Sequence, residues 1–190
     1  MGGLDGVRYS NTHLFNKVLG WKGVLVELGQ TNFVRLEKNR PNEIANVHAA
    51  VCGERKILHY VERGAVGGVW EFSSPSFRER WWKDIKLEDT PTVECMPLKD
   101  ILEENASNTT YFDFFSLDIE GAELDALLSL DYSKVGFGVI FVEADDHNER
   151  KNYALRTFLE QKGYIFLWSR DRSDWFINKN FHSIYEDLIH

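Results

Sequence analysis

The sequence predicts an α/β protein built on a mostly parallel sheet, and the clearest sign is a change of period within residues 112–130. The segment FDFFSL is almost continuously apolar, which suits a strand buried on both faces. After Gly121 the apolar residues recur three and four positions apart, as they do on one face of a helix. The same order, an apolar strand followed by a helix, is also predicted at residues 21–41 and 137–163, which favours α/β units.

Two carboxylates lie where this central strand gives way to its helix. Asp118 follows the apolar strand directly, and Glu120 precedes the helix. Ligands bind at the carboxyl edge of the strands in an open α/β sheet, so the pair indicates a binding site. The alternative is structural: Glu120 and Glu123 complement the positive N-terminus of the helix while Asp118 ends the strand.

Length and composition predict one domain over residues 1–190. A net charge of −8 argues against nucleic acid as a partner, because phosphate binding requires a basic face. No apolar stretch approaches the length of a membrane span, and no signal peptide is recognisable, so a cytoplasmic location is the default expectation. Cys52 and Cys95 are too few for a disulfide framework and predict two buried thiols in a reducing compartment.

A glycine-rich loop, GGLDG, stands almost at the start of the sequence. The Ser/Asn/Thr cluster after it predicts a capped amphipathic helix, which Gly20 would end. Such a loop normally follows a buried strand, and none precedes it here. We therefore expect the first strand of the sheet to be missing from this sequence.

The next segment, WKGVLVE, predicts a strand that ends in Glu27, followed by a helix that stops at Pro41. Glu27 stands about twenty residues after the glycine loop. In nucleotide-binding α/β units an acid at this position holds the two ribose hydroxyls, since a carboxylate can accept from a vicinal diol with both oxygens. The alternative is a surface glutamate where a strand meets solvent.

The middle of the chain predicts a third strand at residues 46–52, an extended piece at 57–61 and an irregular, aromatic-rich loop at about 62–92. His48 is predicted to be a neutral edge or core histidine, because no second histidine or cysteine lies at metal-binding spacing. The aromatic loop has two interpretations that the sequence leaves open. It forms either a cap over a ligand, with indole faces stacking on sugars or cations, or a satellite hydrophobic cluster.

The last third predicts a strand and helix from residue 92, a buried strand at 137–144, a helix, and a terminal antiparallel hairpin. The exit of the 137–144 strand falls at the same predicted edge as Asp118 and carries four polar residues: Asp145, Asp146, His147 and Asn148. The final residues, FHSIYEDLIH, predict a short docking helix.

Taken in order, GGLDGVRYSNT, GWKGVLVE, NVHAAVC, VECMPLKDIL, FFSLDIEGAEL and VIFVEADDHNERKN resemble FkbM-type methyltransferases, which depend on S-adenosylmethionine. The resemblance covers the chain from Gly2 to about Asp187. It implies a Rossmann-like class I methyltransferase fold with a C-terminal antiparallel hairpin. It also implies methyl transfer to an oxygen, such as a hydroxyl of a sugar, glycan or related small molecule.

The resemblance also implies site residues. The loop residues that would pass the methionine part of the cofactor are Gly3, Asp5 and Gly6, with Ser10, Asn11 and Thr12 near its carboxylate. Glu27 would hold the ribose, and Ala50 and Val51 would border the adenine. Near the methionine amino group and the reacting centre we expect Asp118 and Glu120.

Methyl transfer to a hydroxyl needs a base, and the first candidate is His147, whose ordinary pKa lies near neutral pH. Asp145 is the second candidate, and Asp118 completes the predicted catalytic set. The alternative for His147 is a solvated loop histidine. A divalent metal is a further hypothesis, with hard oxygen ligands from Asp118, Asp145, Asp146 and Asn148. Activity that survives complete chelation would exclude it.

Two readings from other classes remain open. A nicotinamide-dependent oxidoreductase would require a GxGxxG loop, and GGLDG lacks the third glycine at that spacing. A truncated, non-catalytic relative that binds a ligand or partner would explain the missing first strand. The expected partner is a small-molecule or glycan acceptor, and the sequence does not define the oligomeric state.

Overall fold

A computed structural model of the chain describes residues 1–144 and 149–180. The helices of this part are α1 (His13–Leu19), α2 (Gln30–Asn39), α3 (Pro75–Trp81), α4 (Leu98–Asn105), α5 (Glu123–Leu128) and α6 (Glu149–Gln161). The strands are β1 (Val24–Glu27), β2 (Ala45–His48), β3 (Ala50–Cys52), β4 (Lys56–Val61), β5 (Gly68–Val69), β6 (Thr92–Pro97), β7 (Tyr111–Leu117), β8 (Gly136–Glu143), β9 (Tyr164–Arg170) and β10 (Ser173–Asn178). The α/β class is therefore confirmed. Among the described helices, none combines the length and apolar character that a membrane crossing requires.

The chain groups into two compact units. Unit 1 comprises Met1–Ser107 and Ile119–Leu130, and unit 2 comprises Asn108–Asp118 and the chain from Asp131 onward. Unit 1 contains the glycine loop, β1 to β6 and five of the described helices, α1 to α5. Unit 2 contains β7 to β10 and α6.

In unit 1 the predicted third strand, residues 46–52, is divided at Ala49. β2 pairs in parallel with β1, whereas β3 pairs in parallel with β6. The second half of this segment thus joins a different sheet, with strand order β3-β6-β4-β5, in which β4 is antiparallel to both of its neighbours. His48, predicted to be an edge or core histidine, is exposed at the end of β2; its Nε2 lies 2.8 Å from the Leu28 carbonyl oxygen, and its ring stacks on Phe33.

The expectation of one mostly parallel sheet differs from the structure. The described strands form three sheets, with three parallel and four antiparallel pairings. Two of the antiparallel pairings arise because β4 lies between β6 and β5 and runs antiparallel to both. The other two belong to β10, in the C-terminal hairpin that the sequence predicts. A sequence pattern of short apolar strands does not reveal which neighbour each strand chooses.

The prediction of two buried thiols was half right. Cys52 and Cys95 are fully buried, but their sulfur atoms are joined in a disulfide. β3 and β6 lie side by side, with Ala50 opposite Cys95, and this pairing brings together two cysteines that are 43 residues apart in sequence. Cysteine count alone could not predict this bond, because it depends on the pairing of two distant strands.

The aromatic-rich segment of unit 1 is more ordered than the sequence indicates. It contains α3, β5 and two short 3-10 turns. Trp82 is 1% exposed, and its indole N–H donates to the Val66 carbonyl oxygen at 2.7 Å. Trp70 stacks on Trp82 and Phe77 meets it edge-on. These contacts favour the satellite-cluster interpretation for the three rings, while Trp81 is exposed beneath the Arg80 guanidinium.

Unit 2 is a four-stranded sheet with order β7-β8-β10-β9, in which β7 and β8 are parallel and the other pairings antiparallel. The predicted terminal hairpin is confirmed as β9 and β10. Asp171 and Arg172 at its turn both have positive φ, as a two-residue hairpin turn of the primed type requires. Asp174 is 1% exposed and accepts two hydrogen bonds from Arg156 on α6, which joins the helix to the sheet.

Candidate functional site

The candidate site is the glycine loop of unit 1 together with the side chains that hold it. The loop starts beside β1, where the Gly3 amide donates to the Val26 carbonyl oxygen at 3.0 Å. It then turns tightly, because the Gly6 amide donates back to the Gly3 carbonyl at 2.9 Å. Asp5 closes the turn, since its Oδ1 accepts from the backbone amides of Val7 and Arg8 at 3.0 and 2.7 Å. The loop is thus held against the carboxyl end of β1.

Glu27 is the last residue of β1, and its carboxylate binds the backbone of the loop. Its Oε2 accepts from the Leu4 amide at 2.8 Å, and its Oε1 accepts from the Gly29 amide at 2.8 Å and from Asn32 Nδ2 at 3.3 Å. The residue is 8% exposed. Burial raises the pKa of this carboxyl, and the three hydrogen bonds partly offset that rise. The alternative interpretation of a solvent-exposed surface glutamate is therefore wrong.

The far end of the loop is held by a buried ion pair, Arg40 with Glu43. Arg40 follows α2, and its Nη1 donates to the Gly6 carbonyl at 3.0 Å. The hydroxyls of Ser10 and Thr12 each lie 3.4 Å from one of the guanidinium nitrogens. The structure therefore brings Ser10 and Thr12 together around one cation. Asn11, between them, is exposed.

Ala50 and Val51, predicted to border the adenine, are buried residues of β3. Ala50 packs into a hydrophobic cluster with Cys52, Leu58 and Cys95. Its side chain therefore contributes to the core of unit 1.

The turn at DIEG has a mixed character. Glu123, in the first turn of α5, is fully buried, and its Oε1 accepts from the amides of Ile119 and Gly121 at 3.1 Å each. These two amides precede the helix, so the carboxylate closes the turn ahead of α5. Glu120 is half-buried and has a φ of 56°, which is uncommon for a residue other than glycine, asparagine or aspartate. Asp118, in unit 2, directly follows β7 and is half-buried.

Four of the predicted site residues lie outside the described part of the chain: Asp145, Asp146, His147 and Asn148. The first two candidate bases and three of the four hypothetical metal ligands are among them. The predicted docking helix at residues 181–190 also lies outside the described residues.

Sequence reasoning missed the Arg40–Glu43 pair, although both of its side chains are almost completely buried. The side chains are 2% and 1% exposed. In the sequence, Arg40 is the third basic residue in six positions before a proline, which is typical of a solvated helix end. Its partner three residues later was the one available signal, and such spacing is common on protein surfaces.

Together these features define an α/β protein in which a glycine loop meets the acid-ended strand beside it, the arrangement used by nucleotide-binding α/β units. The family model described as the methyltransferase FkbM domain matches residues 1–166 of the 190. The chain belongs to this FkbM methyltransferase family, and its activity class is accordingly methyl transfer. No curated protein and no solved structure gives a significant match.

Proposed function

We propose that this chain is an S-adenosylmethionine-dependent O-methyltransferase that acts on a hydroxyl of a sugar, glycan or related small molecule. The observation that carries the proposal is the glycine loop, held at the carboxyl end of β1 by Val26 and Glu27, in a chain of the FkbM family. Loops of this kind at a strand end bind nucleotide-like cofactors in α/β proteins. S-adenosylmethionine supplies the methyl group on an electrophilic sulfonium.

The residues of the loop fit such a cofactor. A carboxylate offers about four acceptor positions, and the protein's own donors use three of those on Glu27. One position on Oε2 thus suits a single ribose hydroxyl, which is less than the two hydroxyls that the sequence pattern predicts. A Cβ on Gly3 would lie 2.6 Å from Leu36 Cδ1, so a larger residue in the loop would require this buried side chain of α2 to shift.

In this proposal the loop residues keep the roles that the family resemblance implies. The backbone of Gly3, Asp5 and Gly6 passes the methionine part. The hydroxyls of Ser10 and Thr12 suit its carboxylate, because a hydroxyl that accepts from a guanidinium keeps its hydrogen for donation to an anion. Asn11 stands beside them at the surface.

The remaining roles rest on the resemblance. Ala50 and Val51 border the adenine, and Glu120, whose positive φ is a feature often found at functional sites, lies near the reacting centre. Removal of the acceptor proton falls to His147, Asp145 or Asp118. A divalent metal held by Asp118, Asp145, Asp146 and Asn148 is the alternative means of activating the acceptor hydroxyl, and complete chelation tests it.

Calorimetric titration of the 190-residue chain with S-adenosylmethionine, S-adenosylhomocysteine and, as a matched control, NAD tests the cofactor. Binding of the first two ligands with no heat from NAD supports the proposal. A folded chain that binds neither sulfur compound refutes it and favours a non-catalytic relative. Selective binding of NAD would instead favour an oxidoreductase.

Transfer of a labelled methyl group from S-adenosylmethionine to a panel of free sugars and glycans tests the acceptor. Transfer to a hydroxyl supports O-methylation. Transfer confined to amine or thiol acceptors would contradict the oxygen specificity while preserving the cofactor assignment.

A further inference from the structure

A buried ion pair in unit 1, Arg40 with Glu43, makes hydrogen bonds to several segments around the glycine loop. Arg40 Nη2 lies 2.7 Å from Glu43 Oε1, and Arg40 Nε donates to the same oxygen at 2.7 Å. With both side chains almost completely buried, the two charges lose their hydration, which is unfavourable unless other partners replace the water. The segments that supply those partners are the ones that the ion pair holds together.

The partners of Arg40 belong to the glycine loop. Its Nη1 donates to the Gly6 carbonyl at 3.0 Å and lies 3.4 Å from Ser10 Oγ, while Nη2 lies 3.4 Å from Thr12 Oγ1. The aliphatic stem is equally close, since a Cβ on Gly6 would lie 2.6 Å from Arg40 Cγ. Gly6 has a φ of 78°, so both its backbone conformation and this contact require glycine.

The partners of Glu43 belong to α1 and to the segment between α1 and β1. Its Oε2 accepts from the Gly23 amide at 2.6 Å, just before β1. Its Oε1 accepts from Asn16 Nδ2 on α1 at 2.9 Å, and the same Asn16 nitrogen lies 2.9 Å from the Trp21 carbonyl. The ion pair therefore links the loop, α1 and the entry of β1 through one cluster.

The loop is in this way held at two points that straddle Asp5. Glu27 holds the Leu4 amide, and Arg40 holds the Gly6 carbonyl. A third contact, from Asn39 Nδ2 to the Asp5 carbonyl at 2.8 Å, also comes from the end of α2. The end of α2 thus determines where the loop backbone and the two hydroxyls lie.

We propose that Arg40, fixed by Glu43, is a positioning residue that sets the glycine loop and the Ser10 and Thr12 hydroxyls for the methionine part of the cofactor. This role rests on the proposed function and deepens it. The planar guanidinium reaches Glu43, the Gly6 carbonyl and both hydroxyls at once, and a single ammonium cannot reproduce this set of directions. Positioning groups locked by packing are what keep a binding constellation in its productive geometry.

The test compares Arg40→Lys and Glu43→Gln with the control Arg35→Lys, a change at an exposed residue of the same helix. Calorimetry measures binding of S-adenosylhomocysteine and of adenosine, which lacks the methionine part. We expect both Arg40→Lys and Glu43→Gln to weaken S-adenosylhomocysteine by roughly 10-fold to 100-fold, the effect of losing a hydrogen bond to a charged group, and to change adenosine binding little. The control should leave both affinities unchanged.

A purely structural role would weaken both ligands equally, so equal losses, or parent-like affinity for S-adenosylhomocysteine, overturn the positioning role. Hydrogen exchange on the ligand-free proteins separates this failure from failure of the proposed function. Faster exchange of the loop amides in Arg40→Lys than in Arg35→Lys supports the tether even if the parent binds no cofactor. Unchanged exchange there refutes the tether irrespective of cofactor binding. Glu43→Gln keeps the shape of its side chain and is the variant to use if Arg40→Lys does not fold.

Discussion

Replacing Glu27 with alanine tests the support of the glycine loop most directly. The change removes the acceptor for the Gly29 and Leu4 amides and for Asn32 Nδ2. A buried donor left without a partner costs about 1 to 3 kcal/mol. The Gly29 bond is buried and the Leu4 bond is partly buried, so water recovers part of the second loss. We expect the free energy of unfolding to fall by roughly 2 to 4 kcal/mol.

Glu27→Gln separates the charge from the shape. The glutamine amide keeps one oxygen acceptor but places an NH₂ group where the carboxylate accepted a second backbone amide. We expect a loss of about 1 to 3 kcal/mol, smaller than that of the alanine variant because one acceptor remains. S-adenosylhomocysteine binding should weaken by roughly 1.5 to 3 kcal/mol in Glu27→Ala, the range for a hydrogen bond to a charged group.

The ionisation of Glu27 should also make the free energy of unfolding depend on pH. Burial raises the pKa of this carboxyl above its ordinary value of 4.5. The folded protein therefore binds this proton more tightly than the unfolded chain does. The stability that Glu27 contributes is fully present below about pH 4.5 and is lost as the pH rises through the raised folded-state pKa. Glu27→Gln does not titrate, so this part of the pH dependence should disappear.

Urea unfolding followed by tryptophan fluorescence, at several values between about pH 4 and 8, measures both effects. Glu37→Gln is the matched control, because Glu37 is an exposed glutamate on α2. The reasoning fails if Glu27→Ala unfolds at the same urea concentration as Glu37→Gln. It fails equally if Glu27→Gln retains the pH dependence of the parent. The first result would mean that the loop does not depend on this carboxylate, and the second that burial does not raise its pKa.

Three further changes test other parts of the fold. Changing both Cys52 and Cys95 to alanine removes the disulfide and should lower the free energy of unfolding by about 4 kcal/mol. The loss is large because the bond joins residues with a sequence separation of 43. Equal urea midpoints for the variant and the non-reduced parent would contradict this. Asp174→Ala should lower the free energy of unfolding by about 2 to 3 kcal/mol, because it removes a buried partner of Arg156. A smaller loss than that of an exposed aspartate variant would show that the Arg156–Asp174 pair does not stabilise the fold. Gly121→Ala should lower the melting temperature markedly, because the new Cβ would lie 2.5 Å from the Phe72 carbonyl oxygen and the residue has a φ of 121°. A melting curve like that of the parent would show that this turn can rearrange to accept alanine.

Local patterns in the sequence were good predictors of individual elements. The period change at residues 112–130 correctly located β7 and α5, and Gly20 correctly marked the end of α1. The hairpin of β9 and β10 was also readable, because two apolar segments flank a short polar turn. These features depend on neighbours within a few residues, which the sequence displays directly.

Long-range pairing was beyond the sequence. The division of residues 46–52 between two sheets, and the disulfide that follows from the pairing of β3 with β6, depend on which distant strand lies alongside. For the aromatic segment at 62–92 the sequence left two interpretations open. Only packing showed that Trp82 is a core residue with its indole N–H bonded to a carbonyl.

For the site, the sequence by itself determined the residue types that the chemistry needs: a glycine loop, an acid at the end of β1, and the family to which both belong. The tertiary structure alone decided how they are held. It showed that Glu27 uses most of its acceptor positions within the protein and that the buried Arg40–Glu43 pair supports the loop. The physical reason is that a hydrogen bond or buried charge is defined by its partner and its burial, and both arise only when distant segments pack together.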